Sequence, residues 1–251
     1  MWLAFLEVFN TYLLPFSFGM IPLMIWLIFF LLRDWKNPEP KYVLFHAFLM
    51  GIVATIVVLF TQNFVEAFAK IYWPAFYNTI QYHDGFDAFL WVAIVEEVIK
   101  FLMIYVTLNQ SKHLDEAIDP MIYMIVCAIG FSSVENYFSI FNQLQTFAIP
   151  LQTLTARFLG ANLLHIICSG VIGFFWSMQI TSKRKYLLWT GLVLAILFHA
   201  LFNTLIFTYG IFAVLLMFTC VFVGASVLLW LFDVVENLNI KIKHKPPLLK
   251  T

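Results

Sequence analysis

Charge is scarce in this sequence. Aspartate, glutamate, lysine and arginine make up 11% of its 251 residues, whereas soluble domains carry about 25%. Hydrophobic residues account for 63%, and 29 residues are phenylalanine. This balance excludes an ordinary soluble enzyme and indicates a membrane protein with several spanning helices. The formal net charge is zero, so the sequence offers no basic surface for nucleic acid.

Cysteine is also scarce, and its three copies, Cys127, Cys168 and Cys220, lie inside apolar segments. We therefore predict no disulfide framework and interpret them as small buried hydrophobic residues. A basic segment of the kind that opens a signal peptide is lacking, because Glu7 precedes the first apolar stretch. That stretch, 13–32, is long enough to span a bilayer, which predicts a spanning helix instead of a cleaved signal peptide.

Seven apolar segments have the length that a helix needs to cross roughly 30 Å of hydrocarbon. They predict an all-α transmembrane bundle, one integral membrane domain over residues 1–251, with helices near 13–32, 43–62, 88–108, 120–138, 158–180, 186–207 and 211–232. Residues 1–12 and 63–80 are apolar and aromatic but carry polar residues, which favours helices at the membrane surface or a re-entrant excursion. An eighth crossing there is left open, and 139–157 is predicted to be a polar connection.

Basic residues fall mostly on one side of this predicted bundle. With seven crossings they share a side in three loops and a tail, 33–42, 109–119, 181–185 and 233–251. Because basic loops favour the cytoplasm, we predict an outer amino terminus and a cytoplasmic carboxyl terminus. The basic cytoplasmic tail, 233–251, suits contact with anionic lipids of the bilayer.

Three charged side chains interrupt the apolar run 88–108. A charge in hydrocarbon costs about 2.5–3.5 kcal/mol on the lower estimates, so Glu96, Glu97 and Lys100 require partners and indicate a functional site. The predicted topology puts both glutamates roughly 12 Å below the outer surface. Three further helices bring polar groups to the same half of the bilayer, namely Glu135, Asn136, Arg157, His165, His199 and Asn203. We therefore predict that four helices meet at one buried site, with Arg157 either near it or in contact with lipid headgroups.

Four motifs follow one another on separate helices. They are Glu96-Glu97-x-x-Lys100, Gly130-Phe131-Ser132-Ser133-Val134-Glu135-Asn136, the lone His165, and His199-x-x-x-Asn203. Together they resemble the motif set of the PrsW intramembrane proteases, which belong with the type II CAAX prenyl endopeptidases and bacteriocin-processing enzymes. The resemblance covers roughly residues 85–210, the catalytic core helices, and leaves out the first two helices. The stretch 119–124 departs from the family because it lacks the glycines associated with that position.

The resemblance implies a membrane-embedded endopeptidase that cuts a membrane-spanning protein near the outer face, as with a single-spanning anti-sigma factor. Hydrolysis needs an activated water and donors for the oxyanion. We expect Glu96 or Glu97 to be the general base and Lys100 to balance the other carboxylate. His165 would hold the water or donate to the leaving amine, and His199 with Asn203 would donate to the oxyanion. Glu135 either orients these groups or belongs to the site, which leaves its role open, and Asn136 is expected to support the site.

A zinc-dependent form of the same site is the alternative. Two imidazoles and a carboxylate, His165 and His199 with Glu96 or Glu97, could bind zinc and leave a position open for water. The sequence lacks a His-Glu-x-x-His helix, so we favour the form without a cofactor.

Two functions other than proteolysis fit the same residues. Glutamate, lysine and histidine inside a membrane also mark the pathway of a proton- or cation-coupled transporter. The spans show no inverted repeat and no paired broken helices, which argues against a transporter. A non-catalytic membrane scaffold of the same fold would have no need of the complete acidic and histidine set.

Overall fold

Eight α-helices and a few tight turns make up the described part of the chain, and no β-strand occurs in it. The computed structural model describes residues 13–35, 37–81, 85–144, 155–208 and 210–238. The predicted surface segment 1–12 lies outside these residues. In chain order the helices are α1 (Leu14–Leu31), α2 (Lys41–Tyr72), α3 (Pro74–Gln81), α4 (Phe86–Leu108), α5 (Asp119–Leu144), α6 (Asn162–Ser182), α7 (Tyr186–Phe207) and α8 (Ile211–Leu238). The all-helical prediction is confirmed.

Five of these helices are long and apolar enough to cross a membrane, α2, α5, α6, α7 and α8. The other two predicted crossings, α1 and α4, are helical but are not among these five, and the reason differs between them. The apolar part of α1 is short, Phe16–Leu31, and α4 carries Glu96, Glu97 and Lys100 near its middle. The chain is therefore a multi-pass membrane protein, and the count of seven crossings stays a prediction.

Several boundaries differ from the sequence prediction. Helix α2 continues to Tyr72, so much of the stretch 63–80 extends a spanning helix and only α3 remains as a separate short helix. The break falls at Trp73, because Pro74 begins α3 and a residue before proline avoids the α conformation. Helix α8 runs to Leu238 into the predicted tail. The rest of that tail, 239–251, lies outside the described residues.

Helix α5 is the centre of the bundle. It packs against α1, α2, α4 and α6, and its side chains from Asp119 to Ser133 are buried on every side. Small residues allow this close packing. At the crossing of α2 with α5, a Cβ on Gly51 would lie 2.0 Å from the Cys127 carbonyl oxygen, and one on Gly130 would lie 2.0 Å from the Phe48 carbonyl oxygen. Glycine is thus required on both helices for this approach.

The contacts between helices close a ring around the middle of α4. Helix α4 packs against α2, α5 and α7, while α6 packs against both α5 and α7. The polar residues of α4, α5, α6 and α7 therefore face a shared interior, and α2 forms one wall of it.

Candidate active site

A glutamate and a lysine of the same helix form the innermost part of the site. Glu97 and Lys100 lie three residues apart on α4, so they share one face of the helix. Lys100 Nζ donates to Glu97 Oε1 at 2.6 Å, and both side chains are 0% exposed. Charges buried to this degree are tolerated only when they are paired. The two residues therefore neutralise each other inside the bundle.

His199 connects α7 to this pair. Its Nδ1 lies 2.7 Å from Glu97 Oε1, and because an ionised carboxylate only accepts, Nδ1 is the donor. In the neutral ring Nε2 then carries the lone pair, and it lies 3.8 Å from Glu96 Oε2. Glu97 thus holds His199 in one tautomer with its second nitrogen turned towards Glu96.

His165 of α6 bridges α4 and α5. Its Nδ1 lies 3.1 Å from Lys100 Nζ, and an ammonium group has only donors, so Nδ1 accepts. The proton of the neutral ring is then on Nε2, which lies 2.9 Å from Glu135 Oε2. The rings of His165 and His199 meet edge to face with their centroids 5.1 Å apart. One connected network therefore includes all four predicted helices.

Arg157 extends the network to the turn that precedes α6. It stands at the start of a π-helical turn, Arg157–Ala161, that leads into α6, and such turns are frequent at functional sites. Its Nη2 donates to Glu135 Oε2 at 2.9 Å and its Nη1 donates to Ser139 Oγ at 3.1 Å. Its Nε also donates to Asn136 Oδ1. The guanidinium group is thus directed into the protein at Glu135 and not towards lipid headgroups.

The two adjacent glutamates of α4 have different surroundings. Glu97 is fully enclosed, whereas the Glu96 side chain is 10% exposed and makes no hydrogen bond with any described residue. Glu96 lines a cavity of about 260 Å³ together with Glu135 and Arg157. Of the two carboxylates, Glu96 is therefore the one that a small molecule can reach.

Asn203 is the one predicted site residue that stands apart from this network. It lies one turn after His199 on α7, is half-buried, and forms no side-chain hydrogen bond with the described residues. Asn136 does join the network and also donates to the Gly19 carbonyl oxygen of α1 at 2.9 Å. Helix α1, which bears none of the motifs, therefore supports the site through its backbone.

Sequence reasoning missed the contribution of α2. Thr55, Leu59 and Gln62 line the cavity that reaches Glu96. Their spacing, together with Glu66, follows the i, i+4, i+7, i+11 pattern of a single helix face. A polar face on a long apolar helix was the available signal, and it was obscured because the apolar segment was predicted to end at residue 62.

Two groups of buried residues at the site have the composition of a metal centre. The potential ligand atoms of Glu96, His165 and His199 all lie within 4.8 Å of one another, and so do those of Glu97, Cys168 and His199. Glu97 is already bound to Lys100, so the first group has the more available carboxylate. Two imidazoles and one carboxylate are a common set for a catalytic zinc ion, and the residues present therefore fit such an ion.

Comparison with known proteins places these residues in a family. A family model described as PrsW family intramembrane metalloprotease matches residues 39–231. Protease PrsW of Geobacillus kaustophilus (strain HTA426) is 27% identical over 192 residues, which are 76% of this chain and 78% of the relative. Protease PrsW of Clostridioides difficile (strain 630) is 24% identical over 197 residues, 75% of this chain and 77% of the relative.

A third relative covers less of the chain. Protease PrsW of Bacillus subtilis (strain 168) is 25% identical over 120 residues, 48% of this chain and 50% of the relative. No solved structure matches. These similarities support a protease and do not favour the transporter alternative. Because the family model spans most of the sequence and includes all four motifs, the chain belongs to the PrsW family of intramembrane metalloproteases and is a membrane-embedded protease.

Proposed function

We propose that this chain hydrolyses a peptide bond of a membrane-spanning protein near the extracytoplasmic face, with Glu96 as the general base. The observation that carries this proposal is the contrast between the two glutamates. Glu96 lines the cavity and has no hydrogen-bond partner among the described residues, while Glu97 is bonded to both Lys100 and His199. A base must reach the water that it deprotonates, and of the two adjacent glutamates only Glu96 lines the cavity.

His199 and Glu96 together suit the binding of that water. The gap of 3.8 Å between His199 Nε2 and Glu96 Oε2 is too long for a direct hydrogen bond, and Oε2 is buried without a partner, so a water molecule that entered between the two atoms would bond to both. Glu96 would take a proton from the water and later return it to the leaving amine. Glu97 fixes the tautomer of His199, which keeps Nε2 an acceptor for the water.

The donor for the oxyanion would come from α7. The Asn203 amide has no partner among the described residues and lies one turn beyond His199, which suits a donor to the developing negative charge. His165 and Arg157 both bond to Glu135. We assign them the task of holding that carboxylate at the cavity wall.

The same residues fit a metal-dependent form of this reaction, with Glu96, His165 and His199 as ligands. A zinc ion held there would supply Lewis-acid polarisation of the scissile carbonyl and make water a better nucleophile. Glu135 would then be the carboxylate left to accept a proton. Both ring nitrogens of His165 already have partners, Nδ1 with Lys100 and Nε2 with Glu135, so one of these two hydrogen bonds would be given up if the ring held a metal. Metal affinity in this form rises with pH.

Contacts at one end of the bundle support the proposed topology of seven crossings with an outer amino terminus. Arg33 pairs with Asp233 at 2.9 Å, which joins the end of α1 to the end of α8. Asn37 Nδ2 donates to Glu116 at 2.9 Å, which joins the α1–α2 loop to the α4–α5 loop. These connections bear basic residues and share one end, which under the positive-inside rule is cytoplasmic. A single-spanning anti-sigma factor is the proposed type of substrate.

The test compares full-length membrane proteins that accumulate in a deletion strain with those in strains carrying Glu96→Gln or the matched control Glu236→Gln. Glu236 is exposed near the end of α8, so its variant should resemble the wild type. We expect the same proteins to accumulate in the deletion and Glu96→Gln strains, because loss of a general base lowers the rate about 10²–10⁴-fold. A wild-type profile in the Glu96→Gln strain would refute Glu96 as the base.

Purified protein separates the two forms of the reaction. In the metal-dependent form, elemental analysis finds about one metal ion per chain and a chelator removes both the ion and the activity. In the form we favour, activity survives chelation of the protein and the purified chain contains no stoichiometric metal.

A further inference from the structure

The cavity at Glu96 has a closed inner end. There α2 and α5 cross in backbone contact at Gly51 and Gly130. The single hydroxyl proton of Thr55 is shared between the Gly51 carbonyl oxygen of its own helix at 3.2 Å and the Phe131 carbonyl oxygen of α5 at 3.3 Å. Even a single Cβ at either glycine would clash with the facing backbone, so α2 and α5 leave no passage between them at this level.

The outer side of the same cavity is open. Leu59 of α2 and Phe138 of α5 both line it, and their side chains are 42% and 48% exposed. Val58, Gln62 and Glu135 line the same cavity. Helices α2 and α5 therefore form the two sides of a cleft that leads from the lipid-facing surface to Glu96. We call this the α2–α5 cleft.

Gln62 occupies a distinctive place in this cleft. Its side chain is half-buried and makes no hydrogen bond with the described residues. It also lines an adjoining cavity of about 220 Å³, which extends past Trp91 to Glu66. A primary amide offers two donors and an acceptor, and in hydrocarbon such groups require partners. The amide of Gln62 is thus available to a ligand in the cleft.

The chemistry of cleavage specifies what such a ligand must be. A peptide bond inside a helix is enclosed by neighbouring turns, so the substrate has to unwind before a base and water can reach the bond. An unwound segment leaves backbone N–H and C=O groups without partners, and lipid cannot satisfy them. Protein side chains beside the scissile bond have to supply those hydrogen bonds instead.

We propose that the α2–α5 cleft binds an extended segment of the membrane-spanning substrate next to the scissile bond, and that Gln62 hydrogen-bonds its backbone. This inference rests on the proposed function at Glu96. Leu59 and Phe138 contact apolar side chains of the segment at the entrance. The substrate class is accordingly a membrane helix that unwinds readily where it enters the cleft.

Photo-crosslinking tests the cleft without depending on catalysis. The Glu96→Gln protein, with p-benzoylphenylalanine in place of Leu59, is reconstituted in liposomes with a synthetic single-spanning peptide that has a Gly-Pro pair in its outer half. The matched control has the photoreactive residue in place of Leu102, a leucine of α4 outside the cavity that is 45% exposed. A second peptide with an uninterrupted leucine-alanine span reports on unwinding.

We expect the crosslinking yield with the Gly-Pro peptide to be at least 10-fold higher at position 59 than at position 102. At position 59, the yield with the Gly-Pro peptide should also exceed the yield with the uninterrupted peptide. Equal yields at positions 59 and 102, or no crosslink at 59, would overturn the inference. Cleavage of the Gly-Pro peptide by the unmodified chain is measured in parallel. Cleavage without a crosslink rejects the cleft alone, a crosslink without cleavage rejects the proposed function, and the absence of both rejects both.

Gln62 is tested in the same crosslinking system. Gln62→Met keeps the length of the side chain and removes its hydrogen bonds, so we expect the half-saturating peptide concentration to rise about 3–10-fold. Gln62→Asn should restore part of this loss. Gln81→Met, an exposed position at the end of α3, is the matched control and should leave the concentration unchanged. An unchanged value for Gln62→Met would remove Gln62 from the proposal.

Discussion

His199 Nδ1 lies 2.7 Å from Oε1 of Glu97, the same oxygen to which Lys100 donates. One carboxylate oxygen therefore neutralises a buried ammonium group and orients an imidazole. Glu97 makes both of these contacts and the adjacent Glu96 makes neither, although the two glutamates are chemically identical in the sequence. This difference has consequences for stability as well as for activity.

Removal of one member of the Glu97–Lys100 pair should destabilise the protein far more than removal of both. We expect Glu97→Gln and Lys100→Met each to cost about 3–5 kcal/mol, because each leaves an unpaired charge in the interior. The double variant should recover most of that loss. Unfolding in detergent, followed across the double-mutant cycle, measures the coupling.

Glu96→Gln provides the control for that cycle. The Glu96 side chain makes no hydrogen bond with the described residues. The unfolding free energy of the variant should therefore stay within about 1 kcal/mol of the wild type. Strictly additive losses for Glu97→Gln and Lys100→Met would contradict the pairing.

Activity should require the guanidinium group of Arg157 and not only its positive charge. Its guanidinium group donates to Glu135, Asn136 and Ser139 together, which a lysine ammonium at the end of a flexible chain cannot reproduce. We expect kcat/KM to fall about 10-fold in Arg157→Lys and about 100-fold in Arg157→Met, since both weaken the hold on Glu135.

Cleavage of a substrate identified from the deletion strain is the measurement for Arg157. Arg184→Lys, in an exposed loop, should leave the rate unchanged. Full activity of Arg157→Met would show that Glu135 needs no positive partner.

Gly130→Ala should destabilise the crossing of α2 and α5. The added Cβ would lie 2.0 Å from the Phe48 carbonyl oxygen, and backbone atoms cannot move aside cheaply. We expect a loss of about 3 kcal/mol or more in unfolding free energy, at the upper end of overpacking costs. Gly85→Ala is the matched control, because its Cβ would meet nothing within 4 Å. Equal unfolding midpoints for the two variants would refute the close contact.

Glu39, in the loop before α2, should make stability depend on pH. Burial raises the pKa of Glu39, with a further contribution from the nearby Asp115. The folded state then retains a proton that the unfolded state releases, so stability falls as the pH rises above the ordinary glutamate pKa of about 4.3. In Glu39→Gln the side chain stays neutral, which removes this part of the fall.

The thermal midpoint in detergent, measured from acidic to neutral pH, tests this expectation. Wild type and Glu39→Gln should differ least at the acidic end, and the variant should become relatively more stable as the pH rises. Glu236→Gln serves as the exposed control and should follow the wild type. Parallel curves for wild type and Glu39→Gln would contradict the effect of burial.

The sequence by itself predicted the helices and the polar groups of the site. Apolar length predicts a helix in a membrane because lipid leaves backbone groups no other partners, and the predicted segments are all helical. Glu96, Glu97, Lys100, His165 and His199 were visible because charged and polar groups in such segments are costly. Both signals are local, so a single sequence contains them in full.

The ends of the helices were harder to predict from the sequence. Residues after Gln62 on α2 include Asn63 and Glu66, which lower the apolar signal, yet the helix continues to Tyr72. The cavity lining from Thr55 to Gln62 lies inside the predicted segment 43–62, and it was missed because Glu66, which continues the same face, was predicted to lie outside the helix.

Only the tertiary structure decided which of two neighbouring glutamates is enclosed and which faces the cavity. That distinction depends on contacts of 2.6 Å with Lys100 and 2.7 Å with a histidine of another helix. It also depends on the opening between α2 and α5, whose residues are far apart in the sequence. Distances between helices follow from how all the helices pack together, and no local pattern of residues records them.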